Sequence, residues 1–301
     1  MAEHLIGEVL TGSVAGLIEP QTRFSQSILY ITPQASSELI LIRILLGSAS
    51  FDSVRDGKTW QQEDDFSVIG IPTRKYRTRN QFRTHLKAAG IPQKELDQHL
   101  RRNLKQEGYY KDLVAEVILA LWRMKTREHT LAFIHIYRLL ERISFAFPVV
   151  YAARSTDFKA AYTVLREYIG GGTDKGELGF FKKFTETSID KLLTGAIAKL
   201  DLSPLSSADR PPVYATVKKF LPQTSIHSEI PDLAIEFPYS EVLDLLVNLR
   251  NRFFHFSSNH TQNISSIDLP VCDHLFENLN EIFLNWLAVI YFEILRDVVS
   301  R

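Results

Sequence analysis

The sequence has little cysteine and no long apolar run, and these absences exclude several classes of protein. Cys272 is the single cysteine among 301 residues, so neither an intramolecular disulfide nor a cysteine-rich zinc site can form. The longest apolar stretch, 282–292, contains Asn285 and lies between Glu281 and Glu293, whereas a membrane-spanning helix needs about 20 apolar residues. The first twenty residues carry no early basic cluster, so no secretory signal is visible. We expect a cytoplasmic protein that does not associate with membranes.

The common nucleotide and metal motifs are also missing. The sequence contains no P-loop, no dinucleotide-binding glycine pattern and no His-Glu-x-x-His zinc helix. The glycine-rich stretch 170–176 has the composition of a phosphate loop but not its spacing, and we interpret it as a connection between helices. We therefore expect no cofactor and no metal site.

Charge is balanced overall but unevenly distributed. The chain has 35 Lys+Arg and 35 Asp+Glu, yet residues 74–105 hold ten Lys/Arg against Glu95 and Asp97. Tyr76 and Phe82 lie within this basic tract, which could therefore offer both phosphate contacts and stacking surfaces to RNA; the alternative is a solvated helix face beside a loop. The candidate RNA-binding residues are Arg74, Lys75, Arg77, Arg79, Arg83, Arg101 and Arg102.

Hydrophobic periodicity predicts a mainly α protein. Residues 1–110 have a mixed α/β character, in which 38–46 fits a short strand or a short helix, whereas residues 111–301 fit a helical bundle. Pro148 is predicted to end a helix, and Pro211-Pro212 to begin another. Helices are predicted over 92–105, 110–125, 128–147, 157–169, 177–184, 188–200, 213–220, 240–256 and 271–299.

The predicted helix 240–256 is apolar on two faces. One stripe faces a core, and a second strip lies roughly 100 to 140° around the helix. Because a helix with two apolar faces packs against two surfaces, the second surface could belong to a partner subunit. Arg250, Asn251 and His255 border the second strip, and Arg250 and His255 could converge across such an interface. The first stripe contains Val242, Leu246, Leu249, Phe253 and Phe256, and the second strip contains Leu243, Val247 and Phe254.

Residues 249–256, Leu-Arg-Asn-Arg-Phe-Phe-His-Phe, resemble the signature of HEPN-domain ribonucleases. That signature is an arginine, a polar residue, three variable residues and a histidine, on a helix of an all-α bundle. Residues 135–145 are similar to an early helix of HEPN proteins linked to prokaryotic defence and toxin systems. The resemblance covers about residues 111–301, and the long separation between Glu141 and Arg250 implies insertions between about 155 and 235.

The resemblance implies metal-independent RNA cleavage at a site where two HEPN domains pair, in a toxin or antiphage effector. We then expect RNA as substrate, a homodimer, and an antitoxin or defence-system protein as a further partner. Attack by a 2′-hydroxyl needs a group that exchanges protons near neutral pH and a fixed cation that stabilises charge on the phosphoryl oxygens. The candidates are His255 as general acid or base, Arg250 as the phosphate clamp, and Asn251 as the residue that orients either of them.

Three further residues are candidates for supporting roles: Glu141, Arg138 and Arg252. Glu141 either pairs with Arg250 or makes a contact within its own helix, and Arg252 is either a phosphate contact or a solvated charge. His255 could instead be a surface histidine near a helix end, where the helix dipole favours it. The alternative for the whole protein is a noncatalytic helical module that binds RNA or a protein. On the helix 128–147, we expect a core stripe of Phe133, Ile136, Tyr137, Leu140, Ile143, Ser144 and Phe147. The opposite side is a mixed second face that carries Ile134, Arg138, Glu141, Arg142 and Phe145.

Overall fold

The structure is a computed structural model of the chain. It describes residues 36–47, 49–52, 59–62, 65–67, 86–87, 89–152, 157, 159, 162–163, 165–166, 176–189, 195–254, 263–264 and 272–299.

The described part of the chain is mainly helical, with a small three-stranded sheet and a two-stranded hairpin. The helices are α1 (Ser37–Leu45), α2 (Gln93–Arg102), α3 (Glu107–Lys125), α4 (His129–Ala152), α5 (Gly176–Ser188), α6 (Arg210–Phe220), α7 (Val242–Phe254) and α8 (Cys272–Val299). The hairpin is formed by β1 (Ser50–Asp52) and β2 (Thr59–Gln61), and the sheet by β3 (Ile197–Asp201), β4 (Ser228–Ile230) and β5 (Ala234–Pro238). Among the described residues, no helix is long and apolar enough to cross a bilayer.

The chain divides into two compact units. Residues 1–115 and 291–301 form the first unit, and residues 116–290 form the second. The first contains α1, the β1–β2 hairpin and α2, and the second contains the three-stranded sheet and α4 to α7.

A buried carboxylate organises the first unit. Glu38, on the fully buried helix α1, accepts hydrogen bonds from the Asn103 amide (3.0 Å) and the Tyr291 hydroxyl (3.3 Å), and its Oε1 lies 2.8 Å from His99 Nε2. Burial, and then the proximity of Glu38, hold the pKa of Tyr291 well above its ordinary value. A buried carboxylate without partners would strongly destabilise the fold. These contacts therefore allow α1 to lie in the core with Glu38 buried.

An aromatic cluster fixes α7 in the second unit. The ring centroid of Phe133, on α4, lies 4.4 Å from that of Phe276 on α8 and 5.9 Å from that of Phe254 on α7. Phe253 contacts Phe276 edge-on at 5.3 Å. Phe133, Phe276 and Phe283 are fully buried. Ring pairs in these arrangements add to the energy of burial, so the cluster packs α7 against α4 and α8.

The beginning of α4 is also held by α8. The backbone N–H of Thr130 donates to Asp273 Oδ1 (2.6 Å), and the buried Asn280 amide donates to the His129 carbonyl (2.8 Å). Asp273 thus satisfies one of the backbone donors that a helix leaves unpaired in its first turn. Burial lowers the pKa of His129.

The sequence prediction of an all-helical C-terminal region is wrong at the sheet. The last four residues of the predicted helix 188–200 lie in strand β3, which pairs with β5 from Ile197 opposite Pro238 to Asp201 opposite Ala234. Strand β4 pairs with the other edge of β5, so the order is β3-β5-β4 and all pairs are antiparallel. The reason is local, since side chains along β3 alternate between exposed and buried, which is the period of a strand.

The prediction that Pro148 ends a helix is also wrong. Helix α4 continues through Pro148 to Ala152, although proline cannot donate the hydrogen bond that the Ser144 carbonyl would accept. Pro148 and Phe147 are both buried, and this packing outweighs the lost bond.

Other predicted helices are confirmed. Pro211 and Pro212 lie in the first turn of α6, as predicted, and residues 38–46 lie mainly in α1. Most of the predicted helix 157–169 lies outside the described residues.

Candidate functional site

Helix α7 places Arg250 and Asn251 at the surface beside α4. Its buried residues are Val242, Leu243, Leu245, Leu246 and Leu249. Leu243, which was assigned to the second apolar strip, is thus covered within the chain, whereas Phe254 at the other end of that strip is 39% exposed. The described part of α7 ends at Phe254, and His255 lies outside the described residues.

Three side chains surround the Arg250 guanidinium. Its Cζ lies 4.8 Å from the centroid of the Tyr137 ring, its Nη1 donates to Asn251 Oδ1 (3.0 Å), and its Nη2 is 4.0 Å from Glu141 Oε1. Burial raises the pKa of Tyr137, and the charge of Arg250 opposes that rise. The Arg250 side chain remains 30% exposed, so the group is oriented by its neighbours yet accessible to solvent.

A second charged cluster lies on α3 and α4, and sequence reasoning missed its centre. Glu116 is 4% exposed. Its Oε2 lies 2.9 Å from His135 Nδ1, and its Oε1 lies 3.0 Å from Arg138 Nη2 and 3.7 Å from Arg142 Nη2. A signal was present in the sequence, because residues 113–121 are apolar except for Glu116, and a carboxylate within such a run needs cationic partners.

Of the predicted site residues, the structure brings Arg250, Asn251 and Glu141 together. Glu141 is at the outer limit of an ion pair with Arg250, while Arg138 contacts Glu116. Arg252 is partly exposed, and its carbonyl accepts a hydrogen bond from the backbone N–H of Ile264 (3.0 Å). The predicted core stripe of α4 is buried. On the opposite side, Arg138, Glu141 and Phe145 are exposed, and Ile134 and Arg142 are partly exposed.

The predicted RNA-binding tract is only partly described. Arg74, Lys75, Arg77, Arg79 and Arg83 lie outside the described residues. Arg101 and Arg102 are exposed at the end of α2, and Arg101 pairs with Asp97 at 3.2 Å. Their role in RNA binding stays a prediction.

Within the described ranges, no group of three or more His, Cys, Asp or Glu side chains is arranged to hold a metal ion.

No protein-family model, curated protein or solved structure shows significant similarity to this chain. The resemblance to HEPN ribonucleases therefore depends on residues 135–145 and 249–256 alone.

Proposed function

We propose that this protein is a HEPN-type endoribonuclease that cleaves RNA through attack of a 2′-hydroxyl, without a metal ion. The observation that carries the proposal is the arrangement around Arg250. Its guanidinium is partly exposed and is oriented by Tyr137, Asn251 and Glu141. A planar cation fixed in this way is suited to hold a phosphate through two parallel hydrogen bonds.

The reaction needs a proton acceptor, a proton donor and a cation. The 2′-oxygen loses its proton to a base and bonds to phosphorus, and the bond from phosphorus to the 5′-oxygen breaks as that oxygen gains a proton. The products are a 2′,3′-cyclic phosphate and a 5′-hydroxyl. Histidine exchanges protons near neutral pH, so His255 serves as general acid or base.

Arg250 stabilises the charge that grows on the phosphoryl oxygens. Such a contribution is worth about 100- to 1,000-fold in rate when a single preorganised donor is removed. Asn251 positions Arg250 by accepting the Nη1 hydrogen bond, which limits the rotation of the guanidinium. Tyr137 supports its flat face at a distance typical of a cation–π contact.

We propose that the complete site forms in a homodimer. Phe254 is 39% exposed next to the site, and a second chain packed there would bring two copies of Arg250 and His255 close to one substrate. The implied role is a cytoplasmic toxin or antiphage effector, controlled by an antitoxin or another defence-system protein. Sedimentation at micromolar concentration should give twice the chain mass of 34.5 kDa. A mass of one chain, without a partner, would contradict self-pairing.

The cleavage test uses purified protein, mixed RNA and excess EDTA. We expect the wild type to cleave, and Arg250→Ala and His255→Ala to lose about 100-fold or more of the rate. Arg166→Ala and His227→Ala are matched controls, because both residues are exposed and neither belongs to the proposed site. Equal cleavage by all four variants would indicate a contaminating nuclease and refute the proposal.

The contacts of Arg250 also favour a second function, a noncatalytic module that binds RNA or protein. Its guanidinium has three neighbours within the chain, as expected of an arginine that shapes a recognition surface. The same assay separates the two functions. If the protein is a noncatalytic RNA-binding module, the wild type would bind RNA and leave it intact.

A further inference from the structure

The outer face of α4 carries two arginines that are anchored to one buried oxygen. The Nη2 atoms of Arg138 and Arg142 lie 3.0 and 3.7 Å from Glu116 Oε1, so the two guanidinium groups are neighbours. Their side chains remain 48% and 34% exposed, whereas the Glu116 side chain is 5% exposed. Each arginine therefore contacts the carboxylate beneath it and also presents donors to solvent.

Both arginines keep their positive charge while they contact Glu116. Two guanidinium groups, each permanently charged, lie against one oxygen of this buried carboxylate. The carboxylate is further fixed by His135, whose Nδ1 lies 2.9 Å from the other oxygen. Because Glu116 already restricts the two arginines, less conformational freedom is lost when they bind an anion.

The arginine pair is continuous with the proposed active site. Glu141 follows Arg138 by three residues on α4, and residues at that spacing are neighbours on a helix. The same Glu141 lies 4.0 Å from Arg250. A strand of RNA held at Arg250 could therefore continue over α4 to Arg138 and Arg142. Phe145, three residues beyond Arg142, is 49% exposed and could stack on a base.

We propose that Arg138 and Arg142 form a second phosphodiester-binding subsite for single-stranded RNA, and that Glu116 is its positioning residue. The inference rests on the proposed function, since it extends the substrate path of the same site. An acidic protein segment is the competing occupant of this face. RNA is favoured because α4 carries both the two guanidinium groups held by Glu116 and the exposed ring of Phe145, and Arg250 lies on the adjacent α7.

The test measures binding of a fluorescent single-stranded RNA whose sugars are 2′-O-methylated. This probe lacks the nucleophile, so binding is measured without cleavage. The affinity for a single strand falls as salt rises, and the slope of log K against log salt is about −0.7 for each phosphate contact. Losing one contact therefore makes the slope less steep by about 0.7 and weakens binding about fivefold at 0.1 M salt. We expect Arg138→Gln and Arg142→Gln each to show this loss. Arg166→Gln, an exposed arginine elsewhere, is the charge control and should change neither the slope nor the affinity.

Glu116→Gln distinguishes positioning from simple charge. If Glu116 only neutralises the arginines, removing its charge tightens RNA binding; if it positions them, binding weakens although the net charge becomes more positive. We expect weaker binding and a smaller salt slope, whereas Glu186→Gln, at an exposed glutamate on α5, should not weaken binding. If Glu116→Gln does not fold, the two surface arginine variants still decide the matter.

The outcomes separate this inference from the proposed function. Unchanged affinity and slope in Arg138→Gln and Arg142→Gln overturn the subsite, even if ordinary RNA is cleaved. Poly-glutamate that displaces the probe at an equal concentration of charges, and loses affinity in the same variants, also overturns it in favour of an acidic protein. Conversely, the wild type could bind the probe through Arg138 and Arg142 and yet leave ordinary RNA intact. That result would refute the proposed function and not the subsite.

Discussion

Replacing Arg250 by alanine should greatly slow the proposed RNA cleavage while leaving the fold almost unchanged. Its structural contacts are weak. A cation–π contact at an exposed site is worth about 0.5 to 1 kcal/mol, and an exposed ion pair typically adds about 0.2 to 1 kcal/mol; the pair with Glu141, at 4.0 Å, belongs at the low end. We therefore expect Arg250→Ala to lower the free energy of unfolding by about 1 kcal/mol, or about 2 to 4 °C in Tm for a unit of this size.

The catalytic contribution is expected to be much larger. Removing a preorganised group that stabilises developing charge costs about 3 to 4 kcal/mol of activation free energy, or about 100- to 1,000-fold in kcat. Arg250→Lys should recover little of this rate, because an ammonium group keeps the charge and loses the planar fork. Initial rates on a fluorogenic RNA in EDTA, measured beside thermal denaturation of the same preparations, compare the two effects directly.

Two results would refute this reasoning. Full activity in Arg250→Ala would show that the guanidinium does not act on the phosphate. A fall in Tm above about 10 °C would show that the arginine is structural and that the loss of rate reflects unfolding. Asn251→Ala separates positioning from folding further, since removing the acceptor of Nη1 should reduce kcat without the Tm loss of a core variant.

Three further predictions concern the framework of the site. Phe133→Ala, at the centre of the aromatic cluster, should lower the free energy of unfolding by about 3 to 5 kcal/mol in urea denaturation; a loss below about 1 kcal/mol would contradict the packing described. Asn280→Ala should cost about 0.5 to 1.5 kcal/mol, because it removes the hydrogen bond that the buried amide donates to the His129 carbonyl, whereas Glu277→Ala on the exposed side of α8 should be nearly neutral. Burial places the pKa of His129 below its ordinary value of 6.5. As pH falls through 6.5, His129 is therefore protonated in the unfolded chain before it is protonated in the folded chain. Because protonation favours the unfolded chain, the free energy of unfolding decreases below that pH. His129→Gln should make the decrease in Tm between pH 7.5 and 5.5 shallower, and an unaltered decrease would disprove this origin.

The helical part of the fold could be predicted because its apolar residues repeat at the helical period. On α4, the stripe from Phe133 to Phe147 was identified as core and is buried. Pro148 was misjudged because a local rule was applied where burial decides. Strand β3 was missed because five residues that alternate between buried and exposed are too few to stand out from a helical context.

The candidate site could be predicted only in part, for a different reason. Arg250, Asn251 and Glu141 were identified from their positions on two helices, and they lie together. Glu116 was missed because its partners follow it by 19 to 26 residues on another helix, and a helical period carries no information on which helices pack together. The charged residue in the apolar stretch 113–121 indicated that a partner exists but not which one.

The most direct test of the central claim is the identity of the RNA ends produced in EDTA. Mass spectrometry of the fragments should find 2′,3′-cyclic phosphates and 5′-hydroxyls from the wild type, and these ends should be absent with Arg250→Ala and with His255→Ala. Fragments that end in a 3′-hydroxyl and a 5′-phosphate, or cyclic ends that persist in both variants, would contradict cleavage by an imidazole and a guanidinium acting through the 2′-hydroxyl.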